Sequence, residues 1–463
     1  MSADRLHAAD ALLPTGWARD VLLEWDDRGV LVAVRPGVPV PSGTPQANGP
    51  VLPGMPNLHS HAFQRVFAGL AEFRGAGEDS FWSWRERMYR AANTVTPAAL
   101  EAIATHLFVE MLEHGYTSVC EFHYLHNDRD GRPYADPATL AETISQAARH
   151  TGIGLTLLPV LYQQGGFGGL EPADGQRRFV TSTAALLELV ARLGRRAGGE
   201  LRVGLALHLL RAVTPEAMRD ALTGVAGIDP AAPIHIHVAE QQREVDECLA
   251  WSGQRPVAWL LEHAPVDGRW CLVHATHLDP AETERAAASG AIAGLCPTTE
   301  ANLGDGIFAL PSWTAAGAGG RWGIGSDSHV TVNAADELRM LEYSQRLATR
   351  RRNIGVSSGQ PHVATALTLA AVVGGAAATG RAVGGLAVGQ QADVVVLDTT
   401  GAMLAGLSAP DALDAFVFAA GGRGGIDTVV VAGRTVITRG RHPLGVAAAQ
   451  AFTAARTAIA SRL

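Results

Sequence analysis

Pro233-Ile234-His235-Ile236-His237-Val238-Ala239-Glu240 is the stretch that decides the fold. An apolar, β-branched run of strand length ends abruptly in a histidine and a carboxylate. The same design recurs at Trp270-Cys271-Leu272-Val273-His274 and at Trp322-Gly323-Ile324-Gly325-Ser326-Asp327. Near-continuous apolar strands separated by Ala/Leu/Glu/Arg-rich helical stretches are the mark of a parallel sheet covered on both faces.

Eight such runs are present: Val51–Pro56, Thr117–Phe122, Leu155–Leu161, Val203–Leu207, Pro233–Val238, Trp270–Val273, Ala291–Leu295 and Trp322–Gly325. Nearly every one ends in a chemically capable side chain: His59 and His61, Glu121, Tyr162, His208, His237, His274, Cys296, Asp327. Barrel enzymes assemble their sites from the C-terminal ends of many strands, whereas a doubly wound sheet gathers its site at one switch point. The reading is therefore an α/β chain with a (β/α)8 TIM-like barrel over residues 51–380.

Outside the barrel, strand character appears at both chain ends. Val21–Trp25 and Val30–Val34 flank an Asp26-Asp27-Arg28-Gly29 turn, a hairpin signature. Ala392–Asp398 and Thr428–Gly433 are strand-like again. Residues 1–50 and 381–463 are expected to share a small β-sandwich domain, the latter segment closing with a terminal helix. The Gly165-Gly166-Phe167-Gly168-Gly169 stretch reads either as a lid at the barrel mouth or as a plain loop.

Composition removes several classes of function. The 463 residues carry 37 basic and 45 acidic side chains, a net charge of −8, which argues against a polyanion partner such as nucleic acid. Every basic side chain is Arg, so lysine Schiff bases, a P-loop lysine and a carboxylated-lysine bridge between two metals are excluded. The four cysteines are far apart and contain no CxxC. The N-terminus lacks the basic start and apolar run of a signal peptide, and no uncharged apolar run of 18 residues is present. A cytoplasmic protein without membrane attachment is expected.

The chemistry gathers on imidazoles. In His59-Ser60-His61, residues i and i+2 of a strand share a face, so both rings can address one ion. With His237 and Asp327 they make three imidazoles and one carboxylate, a set suited to a single divalent metal, Zn2+ first and Fe2+ second, with a position open for water. Asp327 can also take a proton from that water, and Glu240, three residues past His237, can carry it to a leaving group. His274 can hydrogen-bond the attacking water, polarise the substrate or be a fourth ligand; spacing leaves these open. His235, His277 and His329 are read as supporting or loop histidines.

HxH after the first strand, HxxE after the fifth, His after the sixth and Asp after the eighth resemble the deaminase branch of the amidohydrolase superfamily. Pro53–Arg65, with Ala62-Phe63-Gln64-Arg65 at its end, Glu121–His126, Cys296–Gly306 and Gly325–Asn333 are similar, more narrowly, to the formimidoylglutamate deiminases. The likeness runs over about residues 20 to 445. It implies hydrolysis of a formimidoyl C=N bond in histidine degradation, giving N-formyl-L-glutamate and ammonia. It further implies that Gln64, Tyr124 and His208 contact the formimidoyl group, that Arg85 and Arg211 hold the carboxylates of a small dianionic substrate, and that the protein is a homodimer. Paired guanidiniums are the fitting partner for such a dianion. One departure stands out: the family's Pro-His-Ser-Leu-Arg is replaced by Leu207-His208-Leu209-Leu210-Arg211, which removes a proline and a hydroxyl. The rival within the superfamily is deamination of an amino-purine or related ring, for which Trp82, Trp84 and Tyr89 would supply stacking walls. A catalytically inert, metal-stabilised relative is a further alternative, against which the complete set of ligands and proton carriers speaks.

Overall fold

The computed structural model describes residues 4–74, 79–199, 201–316, 320–356, 359–422 and 424–462. Its centre is a parallel barrel of eight strands. In order they are Met55–Ser60, Tyr116–His123, Gly154–Leu161, Leu205–Leu207 (preceded by the short Leu201–Val203), Ile234–Val238, Trp270–His274, Ile292–Leu295 and Trp322–Ile324. Each pairs in parallel with the next. All five residues of Ile234–Val238 and of Trp270–His274 are buried, as two covered faces require.

The barrel closes between its first and last strands. Ser60 and Asp327 form a parallel bridge, and the Asp327 amide donates to the His59 carbonyl at 3.0 Å. This approach needs a residue without a side chain at 325: a Cβ there would lie 2.9 Å from both the backbone nitrogen and oxygen of His59. The seam of the barrel is thus also the place where HxH meets the aspartate.

One reading of the sequence is corrected here. Val51–Pro53, taken above as the start of the first barrel strand, pairs instead in a second sheet, antiparallel to Val394–Leu397 and parallel to Asp4–Leu13. Only from Met55 does the chain enter the barrel. That second sheet has seven strands, in the order Arg434–Thr438, Ile426–Val431, Val394–Leu397, Val51–Pro53, Asp4–Leu13, Gly16–Trp25 and Leu31–Arg35. Both chain ends build it around a separate apolar core that includes Ala8, Val21, Leu23, Leu31, Val51, Val394 and Val430.

The helix Gly445–Ala460 returns to the barrel wall, where Phe452 stacks on His106 with ring centroids 4.5 Å apart. No single helix among the described residues is long and apolar enough to cross a membrane.

Candidate active site

At the C-terminal mouth of the barrel several strand ends leave ordinary β geometry. Ala239 (φ 51°), His274 (φ 66°), Asp327 (φ 46°) and His329 (φ 61°) all adopt left-handed backbone conformations that non-glycine residues rarely occupy. Such conformations persist only where surrounding structure imposes them.

What they deliver is a tight cluster. His59 Nε2 lies 3.1 Å from His61 Nε2 and 3.0 Å from His237 Nε2, and His61 Nε2 lies 3.3 Å from His237 Nε2. Asp327 Oδ1 faces His59 Nε2 at 3.4 Å and His61 Nε2 at 3.3 Å. His61 Nδ1 donates to the Phe122 carbonyl at 3.0 Å, and His237 Nδ1 donates to the His208 carbonyl at 2.9 Å. Those bonds fix the tautomers, so the Nε2 atoms of His61 and His237 both present lone pairs. Burial holds His59, His61 and His237 below the usual imidazole range. Converging lone pairs beside a carboxylate are mutually repulsive unless a cation lies between them, so the four residues fit a divalent metal.

Beside this cluster stand His274 and Glu240. His274 Nε2 is 3.7 Å from both Glu240 Oε1 and Asp327 Oδ2, while its Nδ1 donates to Glu300 Oε1 at 3.3 Å. Burial pulls the imidazolium down, but the Glu240, Glu300 and Asp327 carboxylates outweigh it and carry His274 up to about 10. Burial raises Glu240 above the normal carboxylate range, and Asp327 adds to the rise.

The residues that the resemblance assigns to substrate line one small cavity above the cluster. Gln64, Arg85, Tyr124, His208 and Arg211 share it with Leu209, Trp84 and Tyr89. Gln64 Nε2 donates to Tyr124 Oη at 2.8 Å. Gln64 Oε1, His208 Nδ1 and Arg85 Nε are buried without a hydrogen-bond partner. Buried polar atoms are seldom left unpaired, and three lining one cavity mark the seat of a polar ligand. Arg85 is displayed from the helix Phe81–Ala92, whose one-turn spacing lays its guanidinium against Trp82 and Tyr89, 4.5 and 5.4 Å from the ring centroids. Arg211 sits in a short 3-10 turn, Leu210–Ala212, just beyond the fourth strand.

The altered loop faces this cavity through only one of its two changed residues. Leu209 lines it, whereas Leu207 is a core residue of the fourth strand. A wider cleft of about 680 Å³, bordered by Glu113, His114, Asp427 and Arg441, lacks the convergent histidines, so the chemistry belongs to the smaller cavity.

Several further residues support this arrangement from behind. Glu121 Oε2 accepts from Ser60 Oγ at 2.6 Å and its Oε1 from the Ala62 amide at 2.8 Å, clamping the HxH turn from behind. His329 Nε2 accepts from the His61 amide at 3.2 Å, which makes it a support of the same turn. Glu244 accepts from the Ala239 and Glu240 amides at 3.0 and 3.1 Å and so aims Glu240. Its position four residues after Glu240 is the one local hint. Asp305 is held by Gln241 beside Glu240 and His274. His235 points away and bonds the Ala378 carbonyl at 2.9 Å, and His277 is half-buried at the rim.

Comparison with known proteins agrees with this geometry. Residues 51–436 match the amidohydrolase family, and residues 4–45 match the N-terminal domain of formimidoylglutamate deiminase HutF. The chain is 53% identical over 450 residues to a formimidoylglutamate deiminase of Pseudomonas aeruginosa, covering 96% of this chain and 97% of that protein. An 8-oxoguanine deaminase of the same organism is 29% identical over 385 residues, 83% of this chain and 81% of its own. A crystal structure of an amidohydrolase from Brucella melitensis superposes with a TM-score of 0.92 at 47% identity, over 99% of this chain and 100% of that one. An adenosine deaminase from Xanthomonas campestris with bound zinc shares the fold, with a TM-score of 0.80 at 21% identity over 99% and 98% of the two chains. The chain belongs to the amidohydrolase family and, within it, to the formimidoylglutamate deiminases.

Proposed function

We infer that this protein hydrolyses N-formimidoyl-L-glutamate to N-formyl-L-glutamate and ammonia. The observation that carries the reading is the pairing of two kinds of unmet demand in one cavity. Gln64 Oε1 and His208 Nδ1 are buried polar atoms without partners. Arg85 and Arg211 line the same space. A formimidoyl group answers the first pair and two carboxylates answer the second. A planar aminopurine would leave two guanidiniums without an anion, which costs more the deeper they are buried.

His59, His61, His237 and Asp327 would hold one divalent ion, zinc by the three-imidazole, one-carboxylate donor set and the absence of redox chemistry in the reaction. Such an ion, when bound, would acidify a water molecule and stabilise the negative charge left on its oxygen. The protein does the rest. Asp327 Oδ2, turned toward His274 rather than toward the other imidazoles, takes the proton of the attacking water. The His274 imidazolium, held by Glu300, donates a hydrogen bond to the same water and keeps its line of attack. Glu240 relays that proton to the terminal nitrogen; the proton left on the added oxygen follows by the same carboxylates, so the carbon–oxygen double bond forms as the bond to that nitrogen breaks and ammonia leaves. The glutamate nitrogen stays attached, because Arg85 and Arg211 fix the carboxylate end and leave only the formimidoyl tip near Glu240 and Asp327.

The test is a direct comparison of kcat/KM for N-formimidoyl-L-glutamate, 8-oxoguanine and adenosine on metal-loaded enzyme. A preference of several orders of magnitude for the amidine supports the reading. A purine substrate turned over as well or better overturns it.

A further inference from the structure

Immediately outside the substrate cavity lies a second chamber of about 500 Å³, lined by Trp82, Phe167, Arg243, Glu247 and Trp251, with Arg85 and Arg211 common to both. The Gly165-Gly166 edge of the glycine-rich loop forms one side, and Phe167 stacks on Trp251 at 5.2 Å, tying that loop to the helix Gln242–Ser252. The chamber's floor is a single indole surrounded by cations. The guanidinium carbons of Arg243, Arg85 and Arg211 lie 4.3, 4.5 and 5.5 Å from the Trp82 ring centroid. Three positive charges are therefore held within about one Debye length of each other, about 10 Å at 0.1 M salt.

Little neutralises them. Arg243 bonds Glu247 at 2.7 Å, an exposed pairing of the weak i,i+4 kind. Arg85 Nε is buried without a partner, and Arg211, only 7% exposed, has the Trp82 face as its guanidinium contact. Glu240 and Glu244 feel the Arg211 charge but lie on its inner side, in the catalytic cluster. The field reaches inward too: besides burial, Arg211, His61 and Arg85 help to keep His208 neutral. Stacking on an indole leaves the edge N–H groups of a guanidinium free to bind oxygen.

We propose that this outer chamber is a capture site for the dianionic substrate, in which Arg243 binds a carboxylate first and passes the molecule inward to Arg85 and Arg211. The site rests on the activity inferred above and extends it. Arg243 acts on encounter and touches nothing in the reacting geometry, so its removal weakens capture without slowing chemistry.

The experiment is steady-state kinetics of wild type and Arg243→Gln on N-formimidoyl-L-glutamate across ionic strength, with thermal midpoints measured alongside. At low salt kcat/KM of the variant falls about 5- to 10-fold through KM, at the low end of electrostatic steering effects, while kcat stays within about twofold. The gap closes above about 0.5 M salt, where the Debye length shrinks to a few ångström. Equal kcat/KM at low salt overturns the proposal. So does a deficit that persists at high salt or a parallel loss of kcat, because either one indicates a merely structural role. Wild-type protein that does not turn over this substrate removes the inferred activity and this site with it. Wild-type turnover with no charge effect at Arg243 removes this site alone.

Discussion

Glu240 Oε1 and His274 Nε2 face each other at 3.7 Å across the barrel mouth, with the second oxygen of Asp327 also 3.7 Å from that nitrogen. Register produces this triangle. His237 pairs with Val273, so His274 stands one residue farther along the neighbouring strand. Left-handed turns at Ala239 and His274 then swing both chains inward. Carboxylates raise the His274 imidazolium, and burial raises Glu240, so in the proposed mechanism a hydrogen-bond donor and a proton carrier stand side by side.

Asp327→Asn tests the base. The amide can still occupy the carboxylate's place beside His59 and His61 but cannot accept the proton. Turnover is expected to fall by about two to four orders of magnitude with metal content retained, as measured by elemental analysis beside kcat. Near-normal kcat removes Asp327 from this role.

Chelation tests the cation. Without an ion, three Nε2 atoms within 3.3 Å of each other are left facing one another. Metal-free protein is expected to lose activity and to melt several degrees lower, with both restored by about one equivalent of zinc, since a ligand bound only to the folded state stabilises it. Unchanged melting on chelation contradicts a metal in this cluster.

Arg85→Lys and Arg211→Lys test the clamp. Lysine keeps the charge but loses the two-pronged donor set, so KM is expected to rise about tenfold or more with kcat largely kept. A drop in kcat at unchanged KM places these residues elsewhere in the cycle.

Glu121 offers a pH signature. Burial, opposed by its bonds from Ser60 and Ala62, raises this carboxyl from the usual carboxylate range to about 8. A carboxyl with a raised folded pKa stays protonated in the fold while the unfolded chain ionises, so its contribution to stability is lost as pH rises from about 4.5 toward 8. Glutamine can keep the bond from the Ala62 amide through its Oε1, can donate from Nε2 to Ser60 Oγ instead of accepting from it, and does not titrate. In metal-free protein, Glu121→Gln should gain on wild type by up to about 1.4 kcal/mol per pH unit across that window in denaturant titrations. A pH-independent difference contradicts a protonated, buried Glu121.

Leu209 bears on what the altered loop does. It lines the substrate cavity where relatives are expected to carry a hydroxyl. Leu209→Ser is expected to lower KM a few-fold, by the worth of about one hydrogen bond, with kcat within about twofold. Unchanged KM with lost stability makes Leu209 only a wall.

Most of the barrel was legible because its strands are covered on both faces and therefore read as apolar runs with a functional residue at each end. The convergence of His59, His61, His237 and Asp327 was legible because each stands at or near the end of a barrel strand. Val51–Pro53 was misplaced because periodicity cannot see that the chain changes sheets at Gly54. Asp4–Leu13 escaped because its charged and small residues interrupt any clear alternation. Glu121 and Glu244 were not legible as supports because they act on backbone amides, and nothing in residue type announces such a target; His329 was read as a support or a loop histidine, and its bond from the His61 amide makes it a support. Arg85 and Arg211 are 126 positions apart in the chain and come together over Trp82 and around a shared cavity. Resemblance could nominate them, but pattern alone could not.

The most direct measurement identifies the products of metal-loaded enzyme acting on N-formimidoyl-L-glutamate by mass. The proposed mechanism, in which Arg85 and Arg211 clamp the carboxylates and Glu240 stands at the formimidoyl tip, predicts N-formyl-L-glutamate and ammonia in equal amounts. Formamide and glutamate would show that the other C–N bond breaks and would contradict the account.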